Sequence, residues 1–228
     1  MLNIRMIIIL LFCATNILFS KELKTHNQVK EAINLLEIWL EAQKDYYQLP
    51  SVTLAIVHDQ EIIWSGGFGY SNPKTKRQTT INTIHSICSI SKLFTGIAVM
   101  QLRDQGKLQL NDTLQKHLPW YDIENIYPNF GNATIKNILT HSSGLPRESN
   151  YPYWTGPDFS FPSSDGIKEK LSAQKTLYPA DKYFQYSNLG LTLAGELVSA
   201  VSGQDFDDYI GNEILGPLGM ADTRTFMP

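Results

Sequence analysis

Ser89 and Lys92 stand three positions apart in Ser89-Ile90-Ser91-Lys92, where the apolar run Leu93-Phe94-Thr95-Gly96-Ile97-Ala98-Val99-Met100 begins. A serine hydroxyl is a weak nucleophile at neutral pH and needs a base beside it. Residues three apart on a helix share a face, with Cβ atoms about 5–6 Å apart, so this spacing aims the lysine amine at the serine oxygen. Unpaired N–H groups at a helix start favour negative charge on a nearby oxygen and disfavour a protonated lysine, which helps the amine act as a base. The same S-x-x-K pattern recurs at Ser71-Asn72-Pro73-Lys74 and Ser172-Ala173-Gln174-Lys175. The first contains proline and reads as a turn; the second falls late in a short polar helical stretch. Ser89 alone opens a long apolar helix. The competing reading makes Ser89 a helix cap and Lys92 a solvated first-turn residue.

A second constellation is Tyr186-Ser187-Asn188, just before an apolar helix starting near Leu189. A phenolate serves as a general base when nearby cations favour its ionisation. An asparagine two residues on can donate to a substrate carbonyl and accept from a lysine. Tyr70-Ser71-Asn72 and Tyr127-Pro128-Asn129 share the Y-x-N pattern but read as turns. The structural alternative makes Tyr186 a packed aromatic and Asn188 a cap.

The elements that must position these groups are partly legible. Residues from about Asn27 to Tyr47 read as an amphipathic helix, with Val29, Ile33, Leu36 and Leu40 on one stripe and Lys30, Glu31, Glu37 and Glu41 turned away. Ser51 to Val57 and Glu61 to Phe68 read as a β-hairpin joined through His58-Asp59-Gln60, with Gly66-Gly67-Phe68-Gly69 breaking the second strand. The helix after Ser89 is expected to reach about Gln105 and stop at Gly106. Thr134 caps a short helix, Ile135 to Thr140, which ends at His141-Ser142-Ser143-Gly144. Tyr151 to Pro162 reads as an aromatic loop. Ser187 to Ser202 is a second apolar helix closed by Gly203, and Asp205 caps a third, Phe206 to Leu215. Two strands followed by helices and loops form an unfinished sheet, because an isolated hairpin is marginal in water. With no C-terminal strand or capping helix leading up to Pro228, the reading is of an incomplete copy of a longer protein.

Bulk properties narrow the classes. The 228 residues, 43% hydrophobic, suffice for a real core, and the formal charge of −3 with no basic stripe argues against nucleic acid. Arg5 followed by the apolar stretch Met6 to Phe12 resembles an export signal within residues 1–20, or a retained N-terminal anchor. Cys13 admits a lipid anchor, although Phe12 stands where a small residue is expected. Removing residues 1–20 deletes Arg5 and no acid, so the charge becomes one unit more negative than −3. Cys88 would then be the remaining cysteine, with no disulfide available and a packing role expected. The glycines at 66–69 lack the full dinucleotide pattern, and HExxH, CxxC and G-x-S-x-G are absent, so no cofactor, metal site or α/β-hydrolase elbow is expected.

In chain order these segments resemble the serine β-lactamase and penicillin-binding-protein family, particularly its class C-like branch. The resemblance runs through the hairpin Ser51–Phe68, Ser89-Ile90-Ser91-Lys92-Leu93-Phe94-Thr95, Gly106-Lys107-Leu108-Gln109-Leu110-Asn111-Asp112 and Ile135-Lys136-Asn137-Ile138-Leu139-Thr140-His141-Ser142-Ser143-Gly144-Leu145-Pro146. It continues through Tyr186-Ser187-Asn188 and Ile214-Leu215-Gly216-Pro217-Leu218-Gly219-Met220. It implies an α+β, β-lactamase/transpeptidase-like fold over residues 21–228: an antiparallel sheet flanked by helices, plus a helical lobe. It implies Ser89 as the acylated nucleophile, Lys92 assisting its deprotonation, Tyr186 as general base and then acid, and Asn188 positioning the substrate amide. The Ser89 amide would form half of the oxyanion hole.

One departure stands out. The family's third motif, K-T-G or H-x-G on a sheet strand, has no counterpart, since no glycine here follows Lys or His by two positions. That motif supplies the second oxyanion donor, so the C-terminal strands of the sheet read as missing and little activity is expected of this chain. His141 is expected to be structural. The expected parent is an exported serine hydrolase (periplasmic, extracellular or membrane-anchored) acting on an amide, ester or β-lactam bond of a small molecule or peptide. Membrane contact would come only through the N-terminal segment. The alternatives are a non-catalytic penicillin-binding or sensor-like module and an inactive fragment.

Overall fold

A computed structural model describes residues 23–150 and 163–226. The expected export segment at 1–20, with Cys13, and the aromatic loop Tyr151–Pro162 lie outside the described residues. The chain divides into two compact units, Met1–His85 and Ser86–Pro228.

In the first unit, helix α1 (Asn27–Tyr46) is followed by strands β1 (Ser51–His58), β2 (Glu61–Asn72) and β3 (Arg77–Gln78), forming an antiparallel sheet in the order β1-β2-β3. Val29, Ile33, Leu36 and Leu40 are half-buried, as a helical stripe at this spacing requires. Glu37 departs from the expected solvent face: it accepts a hydrogen bond from Trp64 Nε1 on β2 at 2.9 Å. The hairpin turn is Asp59-Gln60, both residues with positive φ (47° and 68°), the backbone a two-residue connection needs to match strand twist.

The glycines do not break β2, which runs on to Asn72. At Gly67 the strand lies so close to residues 79–80 that a Cβ would stand 2.9 Å from the Thr80 carbonyl carbon. Glycine here permits close backbone approach within the sheet, a role that sequence pattern alone does not separate from strand termination. The short β3 was not anticipated; two residues are too few to show a period. Tyr70-Ser71-Asn72, read as a turn, lies in β2, where Tyr70 pairs with Gln78 and Asn72 with Arg77.

The second unit is helical. A 3₁₀ turn (Cys88–Ile90) leads into α2 (Ser91–Asp104), then α3 (Leu114–His117), α4 (Ile135–Leu139), α5 (Ser164–Leu171), α6 (Asn188–Ser202) and α7 (Phe206–Ile210). The core forms where α2 meets α6: Ala98, Val99 and Leu102 pack with Leu189, Leu193, Ala194, Leu197 and Val198. Helix α6 buries residues around most of its circumference, as a central helix must. Ile135 and Ile138 of α4 and Tyr209, Ile210, Ile214 and Leu215 complete the cluster. Each fully buried Leu or Ile contributes about 1.5–3 kcal/mol relative to exposure.

Two boundaries differ from expectation. The third apolar helix is α7 followed by a π-helical turn at Gly211–Leu215, and Asp205 precedes α7 without a side-chain capping bond. By contrast, Thr134 caps α4 in a full capping box with Asn137.

Candidate active site

Ser89 sits on the 3₁₀ turn before α2, not on the α-helix itself. In a 3₁₀ turn, side chains three apart eclipse, and Lys92 Nζ donates to Ser89 Oγ at 3.2 Å. No side-chain capping bond is made at the start of either the turn or α2, so Ser89 Oγ is spent on Lys92 and Tyr186 and not on capping. Cys88, immediately before, has φ +45°, a left-handed conformation uncommon outside glycine. Backbone strain of this kind clusters at functional sites.

Tyr186 arrives from the far end of the unit, and its hydroxyl donates to Ser89 Oγ at 2.8 Å. Its placement follows from a lacing of two segments. Gly144 O accepts from Leu177 N, Ser142 O from Asp181 N, His141 O from Gln185 N and Arg147 O from Asn188 N, at 2.7–2.8 Å. Ser187 adds two bonds: Oγ donates to Pro146 O at 2.6 Å and accepts from Gly190 N at 2.9 Å, which caps α6. Gly144, with φ +72°, lies against the Tyr178 carbonyl with no room for a Cβ. The buried Asn137 side chain holds the turn from beneath, donating to Ser142 Oγ at 3.2 Å and Asp181 Oδ1 at 3.3 Å.

The electrostatics favour the phenolate. The hydrogen bond with Lys92, then that with Ser89, hold the Tyr186 hydroxyl below its ordinary pKa; burial opposes them, and the charges of Lys92 and Arg147 assist. Lys92 Nζ and the Arg147 guanidinium carbon lie 5.2 and 5.1 Å from the Tyr186 ring centroid. Such a tyrosine can take a proton from a serine at the same oxygen–oxygen contact.

Asn188 is on the first turn of α6, but its side chain is directed elsewhere: Nδ2 donates to Glu148 Oε1 at 2.7 Å. Ser89, Lys92 and Tyr186 are therefore brought together, whereas the Asn188 amide is engaged by a carboxylate. Arg147 and Glu148, paired at 3.2 Å, are the site neighbours that sequence reading passed over. Their one signal was adjacency to Gly144-Leu145-Pro146, since nothing in their spacing relates them to Tyr186. The rival S-x-x-K serines are elsewhere occupied: Ser71 Oγ accepts from Arg77 Nε at 2.9 Å, and Ser172 ends α5. Among the described residues no cluster of His, Cys, Asp and Glu could hold a metal ion, and no helix is long and apolar enough to cross a membrane.

Residues 36–228 match the Beta-lactamase family model. Beta-lactamase-like protein 2 of Dictyostelium discoideum is 33% identical over 181 residues, covering 78% of this chain and 33% of the relative. Protein flp of Staphylococcus aureus (strain NCTC 8325 / PS 47) is 29% identical over 178 residues, covering 77% and 34%. The chain thus spans about a third of the length of these curated relatives. Among solved structures, the octameric penicillin-binding protein homologue from Pyrococcus abyssi superposes with a TM-score of 0.72 at 29% identity, covering 82% of this chain and 43% of that one. A class C β-lactamase gives a TM-score of 0.73 at 20% identity, covering 90% and 53%, a likeness of fold. The fold is β-lactamase/transpeptidase-like, here with an antiparallel sheet of three strands among the described residues, and the chain belongs to the Beta-lactamase family.

Proposed function

We propose that this chain carries the nucleophile and base of a β-lactamase-related serine hydrolase that acts on an amide, ester or β-lactam bond through an acyl-Ser89 intermediate. The observation that supports it is one oxygen: Ser89 Oγ receives Tyr186 at 2.8 Å and Lys92 at 3.2 Å. Ionised Tyr186 takes the Ser89 proton as Oγ bonds to the substrate carbonyl carbon. The Tyr186 hydroxyl then returns that proton to the leaving nitrogen or oxygen as the carbonyl–leaving-group bond breaks. Water repeats the sequence to release the acid and free Ser89. Lys92, hydrogen-bonded to Ser89 Oγ and to the Tyr186 hydroxyl, stabilises the phenolate. Asn188 serves the substrate amide through the second N–H of its side chain, the first being held by Glu148.

The Ser89 N–H supplies one oxyanion donor, while the sequence holds no K-T-G or H-x-G strand for the second. Loss of one such donor costs about 2.7–4 kcal/mol of transition-state stabilisation, in acylation and deacylation alike. Export rests on Arg5 and the stretch Met6 to Phe12, and the substrate is a small molecule or peptide.

The test is labelling with a fluorophosphonate and a fluorescent penicillin, with the adduct located by mass spectrometry. An adduct on Ser89, lost in Ser89→Ala, is the expected result. Label on another residue, or none on a folded chain, overturns the reading. Adduct formation without turnover of a generic ester would identify the sensor-like module instead.

A further inference from the structure

His141 is joined to the segment carrying Tyr186 at three points. Its carbonyl accepts from Gln185 N at 2.7 Å, and its ring Nδ1 accepts from Ser187 N at 3.1 Å. Its ring lies 4.4 Å from the Tyr186 ring, centroid to centroid, at 30° between planes. The backbone amides on both sides of Tyr186 are therefore held by one residue that also backs the phenol. His141 reaches them because it leaves α4 with φ +55°, the left-handed turn that swings its carbonyl and side chain together toward residues 185–187.

An Nδ1 that accepts from a backbone N–H carries a lone pair, so the ring proton resides on Nε2 and the imidazole is neutral. The surroundings agree: burial first, then the Lys92 charge, hold His141 below the ordinary histidine range. The charged and titratable groups beside it are Lys92 from α2 and Tyr186, whose ring also meets Arg147. Asp181, on the adjoining segment, is engaged by Asn137. The Phe184 ring meets the imidazole edge-on at 5.8 Å.

We propose that neutral His141 is a positioning residue for Tyr186, fixing the amides on either side of it and the plane of its ring so that the phenol stays on Ser89 Oγ. The proposal rests on reading Tyr186 as the base. His141 itself makes no bond to Ser89 and is not catalytic. Protonation at Nδ1 would set one donor against another at Ser187 and add a cation near Lys92. The geometry of Tyr186 is then lost in acid, and a displacement of about 1 Å can cost on the order of 100-fold in rate.

His141→Asn and His141→Leu separate this role from simple packing. Asparagine tolerates left-handed backbone and places an acceptor oxygen where Nδ1 stands, but it does not titrate. Leucine fills space without an acceptor. Three quantities are read on isotopically labelled protein: the Ser187 amide resonance against pH, the ionisation of Tyr186 from its ring-carbon shift, and the fluorophosphonate labelling rate at Ser89. In the parent chain the Ser187 amide shifts as His141 gains its proton. His141→Asn abolishes that step and keeps Tyr186 ionisation and labelling rate within about threefold of the parent. His141→Leu raises the pH at which Tyr186 ionises and slows labelling by about 100-fold.

Parent-like Tyr186 ionisation in His141→Leu overturns the proposal. So does a folded His141→Asn that behaves as the Leu variant is expected to. If His141→Leu does not fold, His141→Asn alone decides by the same criteria. If the parent chain takes no label, the acyl-Ser89 reading fails, while the Tyr186 ionisation comparison still decides for or against His141.

Discussion

The hydroxyls of Tyr186 and Ser89 lie 2.8 Å apart although 97 positions separate them in the chain. Tyr186→Phe removes the proton acceptor and leaves the ring contacts with His141, Lys92 and Arg147. The expected outcome is an unchanged melting temperature with acylation of Ser89 slowed by about 10²–10⁴-fold, the usual contribution of a general base. Time courses of fluorophosphonate labelling measure it. An unchanged rate would remove Tyr186 from the chemistry.

Lys92 is the first cause of the lowered Tyr186 pKa. The sign follows directly. The active form is the phenolate, a lowered pKa keeps it present at lower pH, and removing the cause lifts the pKa. In Lys92→Met the acid limb of the labelling-rate profile moves to higher pH, and the rate at pH 7 falls while the rate at high pH recovers in part. A profile displaced downward uniformly, with no change in its acid limb, would contradict this.

Asn188 and Glu148 are held at 2.7 Å. If Asn188 serves the substrate amide, Glu148 orients it by holding one of its two N–H donors. Glu148→Ala then frees it at the cost of its orientation. The expected change is a five- to tenfold lower second-order acylation rate by amide-bearing penicillins, about 1–1.4 kcal/mol, with little change for the small fluorophosphonate. Equal losses for both probes would assign Glu148 a purely structural role.

Asp112 accepts from Lys116 Nζ at 2.7 Å, His117 Nε2 at 2.8 Å and Gln109 N at 2.9 Å. The Lys116 bond, then the His117 bond, then the Gln109 amide hold its carboxyl well below the usual range. A depressed folded-state pKa contributes stability that is present above the unfolded value, about 3.9, and is lost as pH falls below it. Asp112→Asn is expected to destabilise by about 1–3 kcal/mol at pH 7, with the difference closing as the pH drops below about 4. Denaturant midpoints at several pH values check this, and a pH-independent difference would refute it.

Gly144 has φ +72° and abuts the Tyr178 carbonyl. Gly144→Ala forces residues 177–178 away from the His141 turn, and left-handed strain alone costs about 1–3 kcal/mol. Because the same lacing carries Tyr186, both thermal stability and labelling rate should fall. A parent-like labelling rate with lowered stability would show that the two ends of the lacing are independent.

Local chemistry was legible where it is settled within a few residues. Thr134 caps α4, Gly203 ends α6 with φ +75°, and Val29, Ile33, Leu36 and Leu40 form the half-buried stripe of α1. Where a residue's role depends on what approaches it from elsewhere, the pattern misled. Glu37 read as solvent-facing until Trp64 was placed against it, and the glycines of β2 read as a break until the chain at Thr79 and Thr80 was placed beside Gly67. Asp205 has the residue type of a cap but not the bond.

The amino-acid order determined that Ser89 and Lys92 stand three positions apart where the chain enters α2, a spacing that lets their side chains meet. It also determined, through the succession of motifs, the family to which the chain belongs. The sequence singled out Tyr186 by its place before α6, but only the tertiary structure brings its hydroxyl onto Ser89, bonds Asn188 to Glu148 and packs the His141 ring against the phenol. Those contacts arise from the lacing of residues 141–147 with 177–189 over the α2–α6 core. Pairing across so many residues leaves no periodic trace in the chain, since it is set by which backbone donors and acceptors come within reach once the apolar helices have packed.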